Sequence, residues 1–74
     1  SARGALEMAF RLEGEMGFRP VETEGGIGIA VDPKAESSQK LSQALRAWKR
    51  MREQLEAGEV LEEEYEAWKA SFKG

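Results

Sequence analysis

Three consecutive carboxylates, Glu62, Glu63 and Glu64, are the residues most suggestive of chemistry in this chain. Two carboxylates can serve as general acid and general base when both reach the same reacting group. Consecutive side chains on a helix, however, diverge by about 100°, so these three cannot converge without help from elsewhere. They suit the first turn of a helix, where the positive end of the helix dipole favours negative charge. Their oxygens offer Mg²⁺ or Ca²⁺ only weak, nonspecific association. The serines at 37, 38 and 42 have no histidine to activate them and no lysine in a nucleophile motif, and the chain has neither His nor Cys. Thiolate and imidazole ligands are therefore missing for zinc as well. The expectation is a non-enzymatic protein with no catalytic residue, no metal and no cofactor.

Two further clusters invite a binding reading. Glu24-Gly25-Gly26-Ile27-Gly28 is rich enough in glycine to suggest a phosphate cradle. Such a cradle leads from a strand into a helix and usually carries a lysine, whereas these glycines lead into the apolar run Ile27–Val31. A hairpin turn accounts for them better. Arg46, Lys49, Arg50 and Arg52, with Trp48 among them, form the basic cluster, and Arg46, Lys49 and Arg50 are the candidates for a nucleic-acid contact. Against that stands ordinary charge pairing, with Glu53 and across to the acidic last helix. The chain carries 14 acidic and 11 basic residues, a formal charge of −3, which weakens any counterion-release gain on nucleic acid. Nucleic acid therefore ranks behind protein as a partner.

The elements that must position these groups are legible in the spacing. Leu41, Ala44, Leu45, Trp48, Met51 and Leu55 form one stripe of a helix that stops at Ala57-Gly58. A second helix follows from about Glu62 to Phe72, with Leu61, Tyr65, Trp68 and Phe72 on its stripe and Lys69 and Lys73 near its end. Upstream, Phe18–Val31 reads as a β-hairpin. Thr23-Glu24-Gly25-Gly26 supplies the turn, Pro20 restricts its strand to an edge or a first position, and Ile27, Ile29 and Val31 make one greasy face. Asp32-Pro33 ends the second strand and offers one helix start; Ser37 or Ser38 offers another. Ala5–Met16 fits a helix with Ala5, Met8, Ala9, Leu12 and Met16 on its stripe, and Gly17 as a left-handed cap. The same stretch also alternates as a strand would, with Leu6, Met8, Phe10 and Leu12 on one side, which leaves a three-stranded meander as the alternative.

The expected fold is a single small α+β domain over residues 1–74, in the order α-β-β-α-α. It comprises a helix at 5–16, a β-hairpin at 18–31 and a helical hairpin at 37–72 packed on the β-hairpin. A chain of 74 residues is near the lower limit for a self-sufficient core, and without cysteine it has no disulfide staple. A partner surface, a second copy or another protein, is the remaining support. Large rings bury about 150–250 Å² each, more than a two-helix seam readily absorbs. Ile29, Trp48, Tyr65 and Trp68 are accordingly the candidate core or contact surface. No run approaches 18 apolar residues and no charged segment precedes an apolar one, so neither a membrane partner nor a secretory signal is expected. The absence of cysteine fits a reducing cytoplasm.

Leu55-Glu56-Ala57-Gly58-Glu59-Val60-Leu61-Glu62-Glu63-Glu64-Tyr65, followed by Trp68-Lys69, resembles the short C-terminal helical-hairpin domain known as SHOCT. Gly58 matches the turn of that family, Val60 the buried aliphatic, Glu63 and Glu64 the acidic pair, and Tyr65 the aromatic. Leu61 departs from the usual Thr or Ser, so a side-chain N-cap is missing. The likeness covers residues 45–69, about a third of the chain. The stretch is also similar, more weakly, to hairpins in the helical regions of large serine recombinases. The first resemblance implies an appended bacterial oligomerisation or interaction module with no active site. The second implies a phage or mobile-element context without the catalytic part.

Overall fold

The computed structural model describes residues 1–73. The chain is a small α+β domain with elements α1 (Ala2–Met16), β1 (Phe18–Thr23), β2 (Gly26–Val31), α2 (Ser38–Glu56) and α3 (Glu62–Ser71). This is the expected α-β-β-α-α order, with a β-hairpin and a C-terminal helical hairpin. Internal contacts divide the chain into two compact units, one of Ser1–Gln39 and one beginning at Lys40.

In the N-terminal unit, α1 is a helix throughout, in keeping with its Ala, Leu, Met and Glu content. It begins three residues before the expected Ala5 because the Ser1 hydroxyl accepts the Gly4 amide at 3.2 Å. It ends at Gly17, whose φ of 70° turns its N–H back onto the carbonyls of Glu13 and Leu12. A Cβ on Gly17 would lie 2.8 Å from the Ala35 Cβ, so close approach as well as backbone demands glycine there. Ala9, Leu12 and Met16 of the expected stripe are half-buried; Ala5 and Met8 are exposed.

The strands pair antiparallel from Phe18↔Val31 to Thr23↔Gly26, leaving Glu24-Gly25 as the turn. The Thr23 hydroxyl organises that turn, accepting from the Gly25 amide at 3.1 Å and donating to the Gly26 carbonyl at 3.0 Å. Of the two glycines in the expected Thr23–Gly26 turn, Gly26 takes the positive φ, at 124°. Just beyond the ladder the Asp32 amide donates to the directly opposed Gly17 carbonyl at 2.9 Å, a single bond at a hydrogen-bonded position of the register, while the Gly17 amide is held by α1. Antiparallel pairs alternate, so Pro20↔Ile29 is a non-hydrogen-bonded pair and the N–H that proline lacks would have pointed outward. Phe18, Pro20, Ile27, Ile29 and Val31 share one face. Leu6 and Phe10 of α1 meet Phe18, Pro20 and Ile29 of that face around a groove of about 180 Å³. Much of that face stays open, with Ile29 51% exposed and Ile27, which does not line the groove, 73% exposed.

Of the two expected helix starts, the chain uses the later one. Asp32 caps a short turn instead, its Oδ1 accepting the Lys34 amide at 2.9 Å, and the Ser38 hydroxyl donates to the Pro33 carbonyl at 2.9 Å. In the C-terminal unit, α2 and α3 are joined across Gly58, at φ 77°. The Gly58 amide reaches the Leu55 carbonyl at 3.1 Å and the Glu59 amide reaches that of Gln54 at 2.8 Å, the paired bonds of a Schellman cap. Leu61 has no side-chain acceptor for the start of α3, but its own amide donates to Glu64 Oε1 at 2.7 Å. Among the described residues no helix is long and apolar enough to cross a membrane.

Candidate functional site

The apolar stripes of α2 and α3 bring three of the four candidate contact residues together in the C-terminal unit. Tyr65, only 3% exposed, is the one buried side chain among the described residues. A buried phenol needs a partner for its oxygen, and the Trp48 indole supplies one: Nε1–H donates to Tyr65 Oη at 2.7 Å. This bond ties the two helices and leaves the body of Trp48 49% exposed. Lys69 Nζ sits 4.7 Å from the centre of the Tyr65 ring, a cation–π contact. One turn along α3, the half-buried Trp68 meets Phe72 with ring centres 5.0 Å apart and planes at 57°. Ala44, Leu45, Trp48, Trp68, Lys69 and Phe72 line an open groove of about 250 Å³. The fourth candidate, Ile29, belongs to the N-terminal unit, beside Leu6, Phe10 and Phe18.

The electrostatics converge on Tyr65. Its pKa is lowered, first by the Trp48 N–H on its oxygen, against which burial acts, with further help from Arg52 and the charge of Lys69. The Arg52 guanidinium is in turn held more firmly protonated by hydrogen bonding to Tyr65 and then to Glu56. The chain has a single tyrosine, so its ionisation can be followed by ultraviolet difference absorbance without ambiguity. The midpoint should lie below 10, and Trp48→Phe should move it upward; a midpoint at or above 10 in the native protein would contradict this arrangement. A pKa depressed in the folded state stabilises above the unfolded value. This contribution should therefore grow as pH rises through the folded pKa and be complete above about 10.

The basic cluster is divided. Lys49 pairs with Glu53 at 2.7 Å and Arg52 with Glu56 at 3.1 Å, both along α2. The expected pairing across to α3 is not made among the described residues; Lys69 pairs within α3, with Glu66 at 3.0 Å. Glu64, one of the acids expected to cross, accepts the Leu61 amide instead. Arg46 and Arg50 have no ion-pair partner among the described residues. These exposed pairs contribute little stability, about 0–1 kcal/mol each. Glu62, Glu63 and Glu64 occupy the first turn of α3, as their position near a helix dipole predicts. Among the described residues no group of three or more acidic side chains is placed to hold a metal ion.

Sequence reasoning put Phe72 on the α3 stripe but not in the contact set, and it missed Leu6 and Phe10 as a surface. The four-residue spacing of Leu6 and Phe10 was the available signal for the second. Fold and surface together define a small α+β domain that carries an aromatic groove on a helical hairpin. No protein-family model, no curated protein and no solved structure matches the chain.

Proposed function

We propose that this chain is a non-enzymatic protein-interaction or oligomerisation module that works by burying the aromatic groove of its helical hairpin. One observation carries the reading: Trp48 and Phe72, at 49% and 42% exposure, flank Trp68 around that groove instead of filling a core. Exposed large aromatics beside a hydrogen-bonding edge are the usual anchors of protein interfaces. The likeness of residues 45–69 to short helical-hairpin interaction modules points the same way.

A second reading, a small nucleic-acid accessory protein, draws on Arg46 and Arg50, which stand four residues apart on α2 without ion-pair partners among the described residues. The pairing of Lys49 with Glu53 and the acidic balance of the chain count against it.

The test is light scattering across a concentration series with tryptophan emission recorded alongside. Self-association through the groove raises the mass and shifts the emission to the blue, and Trp48→Ala with Phe72→Ala weakens it at least about tenfold, roughly 1.4 kcal/mol. Arg46→Glu with Arg50→Glu leaves it unchanged but abolishes a salt-sensitive nucleic-acid shift if the second reading holds. The interaction reading fails if the mass stays monomeric with constant emission and both wild-type and Trp48→Ala/Phe72→Ala baits capture the same proteins from cell extract.

A further inference from the structure

We propose that the outer edge of β2 pairs antiparallel with β2 of a second copy of this chain, joining two β-hairpins into a four-stranded sheet. The inference rests on the reading of the chain as an interaction module and adds which backbone edge associates, and with what.

The two edges of the hairpin are unlike. Since the Asp32 amide bonds the opposed Gly17 carbonyl, alternation along the register points the backbone polar groups of Phe18, Pro20 and Glu22 outward from β1, and those of Ile27, Ile29 and Val31 outward from β2. The β1 edge has no donor at Pro20, and it carries the charges of Arg19 and Glu22. Proline and charge are the devices by which natural sheets block edge pairing. The β2 edge has neither. Gly26–Val31 contains no charge and no proline, and its pairing with β1 runs without a bulge. The outward groups of Ile27, Ile29 and Val31 take part in no backbone or side-chain hydrogen bond beyond the hairpin among the described residues.

A second copy fits that edge by symmetry. With the two-fold axis at Ile29, Ile29 of one copy lies opposite Ile29 of the other, and Ile27 opposite Val31. All three pairs are then hydrogen-bonded pairs, about six bonds in total. The same register sets Ile27, Ile29 and Val31 of both copies side by side on one face, and it opposes no like charges because the strand is neutral. The need is also on the surface: no residue of the N-terminal unit is buried, and Leu6, Phe10, Ile27 and Ile29 are all more than half exposed. A two-stranded hairpin is marginal in water, whereas three or more strands with an apolar face can stand. Units below about 40 residues usually require a disulfide, a metal or association.

The experiment is amide hydrogen exchange by NMR on the full chain over a concentration series, with mass measured in the same samples. The amides of Ile27, Ile29 and Val31 should become at least about tenfold slower as dimer forms, while those of Phe18 and Glu22 remain open. Ile29→Pro deletes one outward N–H without removing a bond to β1, and should weaken dimerisation at least about tenfold with the helical signal intact. Ile29→Thr keeps the N–H and should weaken it less. A dimer in which the three β2 amides stay open overturns the proposal and leaves association to the aromatic groove. A strict monomer overturns it and leaves the groove for a foreign partner. Protection independent of concentration also overturns it, because the edge would then be covered within one chain. The exchange arm uses the native protein, so it decides even where a variant does not fold.

Discussion

Tyr65→Ala should abolish the cooperative fold of the helical hairpin. Tyr65 is the one buried side chain among the described residues, and its oxygen holds the Trp48 indole. In general, deleting a buried aromatic ring costs about 3–5 kcal/mol, and the core of a domain this small supplies about the same amount. The variant should therefore lose a large share of its far-ultraviolet helical ellipticity at 25 °C and show no sigmoidal urea transition for this unit. Tyr65→Phe separates ring from hydroxyl. It retains the packing and deprives the Trp48 N–H of an acceptor, but half-exposed Trp48 can turn to water, so most of the stability should survive. If Tyr65→Ala and Tyr65→Phe have equal urea midpoints, the ring is not what holds the helices together.

Gly58→Val should be the next most damaging change, and for a backbone reason. Gly58 lies at φ 77° with open space where a Cβ would go, so no neighbour clashes with the new side chain. The cost is intrinsic: left-handed backbone is unfavourable for L-residues by about 1–2 kcal/mol, and a β-branched side chain is among the worst fits. The Gly58 and Glu59 amides that close the end of α2 depend on that conformation, so the penalty extends to the cap. A loss of about 2 kcal/mol or more in urea-derived stability is expected. Gly58→Asn should lose clearly less, since asparagine tolerates left-handed backbone. Equal losses for Val and Asn would show that the strain does not reside in φ.

These two changes also mark where local and long-range information part. Gly58 was readable as a helix stop from its neighbours, as were Gly17, the Thr23–Gly26 turn and the acidic first turn of α3. Each is a property of a few adjacent residues: backbone that only glycine adopts easily, an alternation of side chains, a dipole that attracts carboxylates. The start of α1 was read three residues late because a one-residue cap, the Ser1 hydroxyl on the Gly4 amide, leaves almost no pattern behind it.

The contact surface was partly legible for the same reason. Trp48, Tyr65 and Trp68 recur at helical spacing, so their meeting on one hairpin followed from periodicity. Which ring would be buried did not. Tyr65 and Trp68 share a stripe of α3 that Phe72 continues as the C-cap residue, yet Tyr65 is enclosed, Trp68 half-covered and Phe72 42% exposed. Spacing along one helix specifies a face, while burial depends on the angle and distance at which the second helix crosses it. The charges behaved similarly. Lys49 and Arg52 found partners four residues away, where helix geometry delivers them, and one of the α3 acids, Glu64, accepts a backbone amide instead. Pattern in the chain thus dictated the helices, the strands, their turns and their order, because these depend on neighbours within about one turn. The Trp48–Tyr65 bond and the open aromatic groove depend on where separate elements meet, and three-dimensional packing alone decided them.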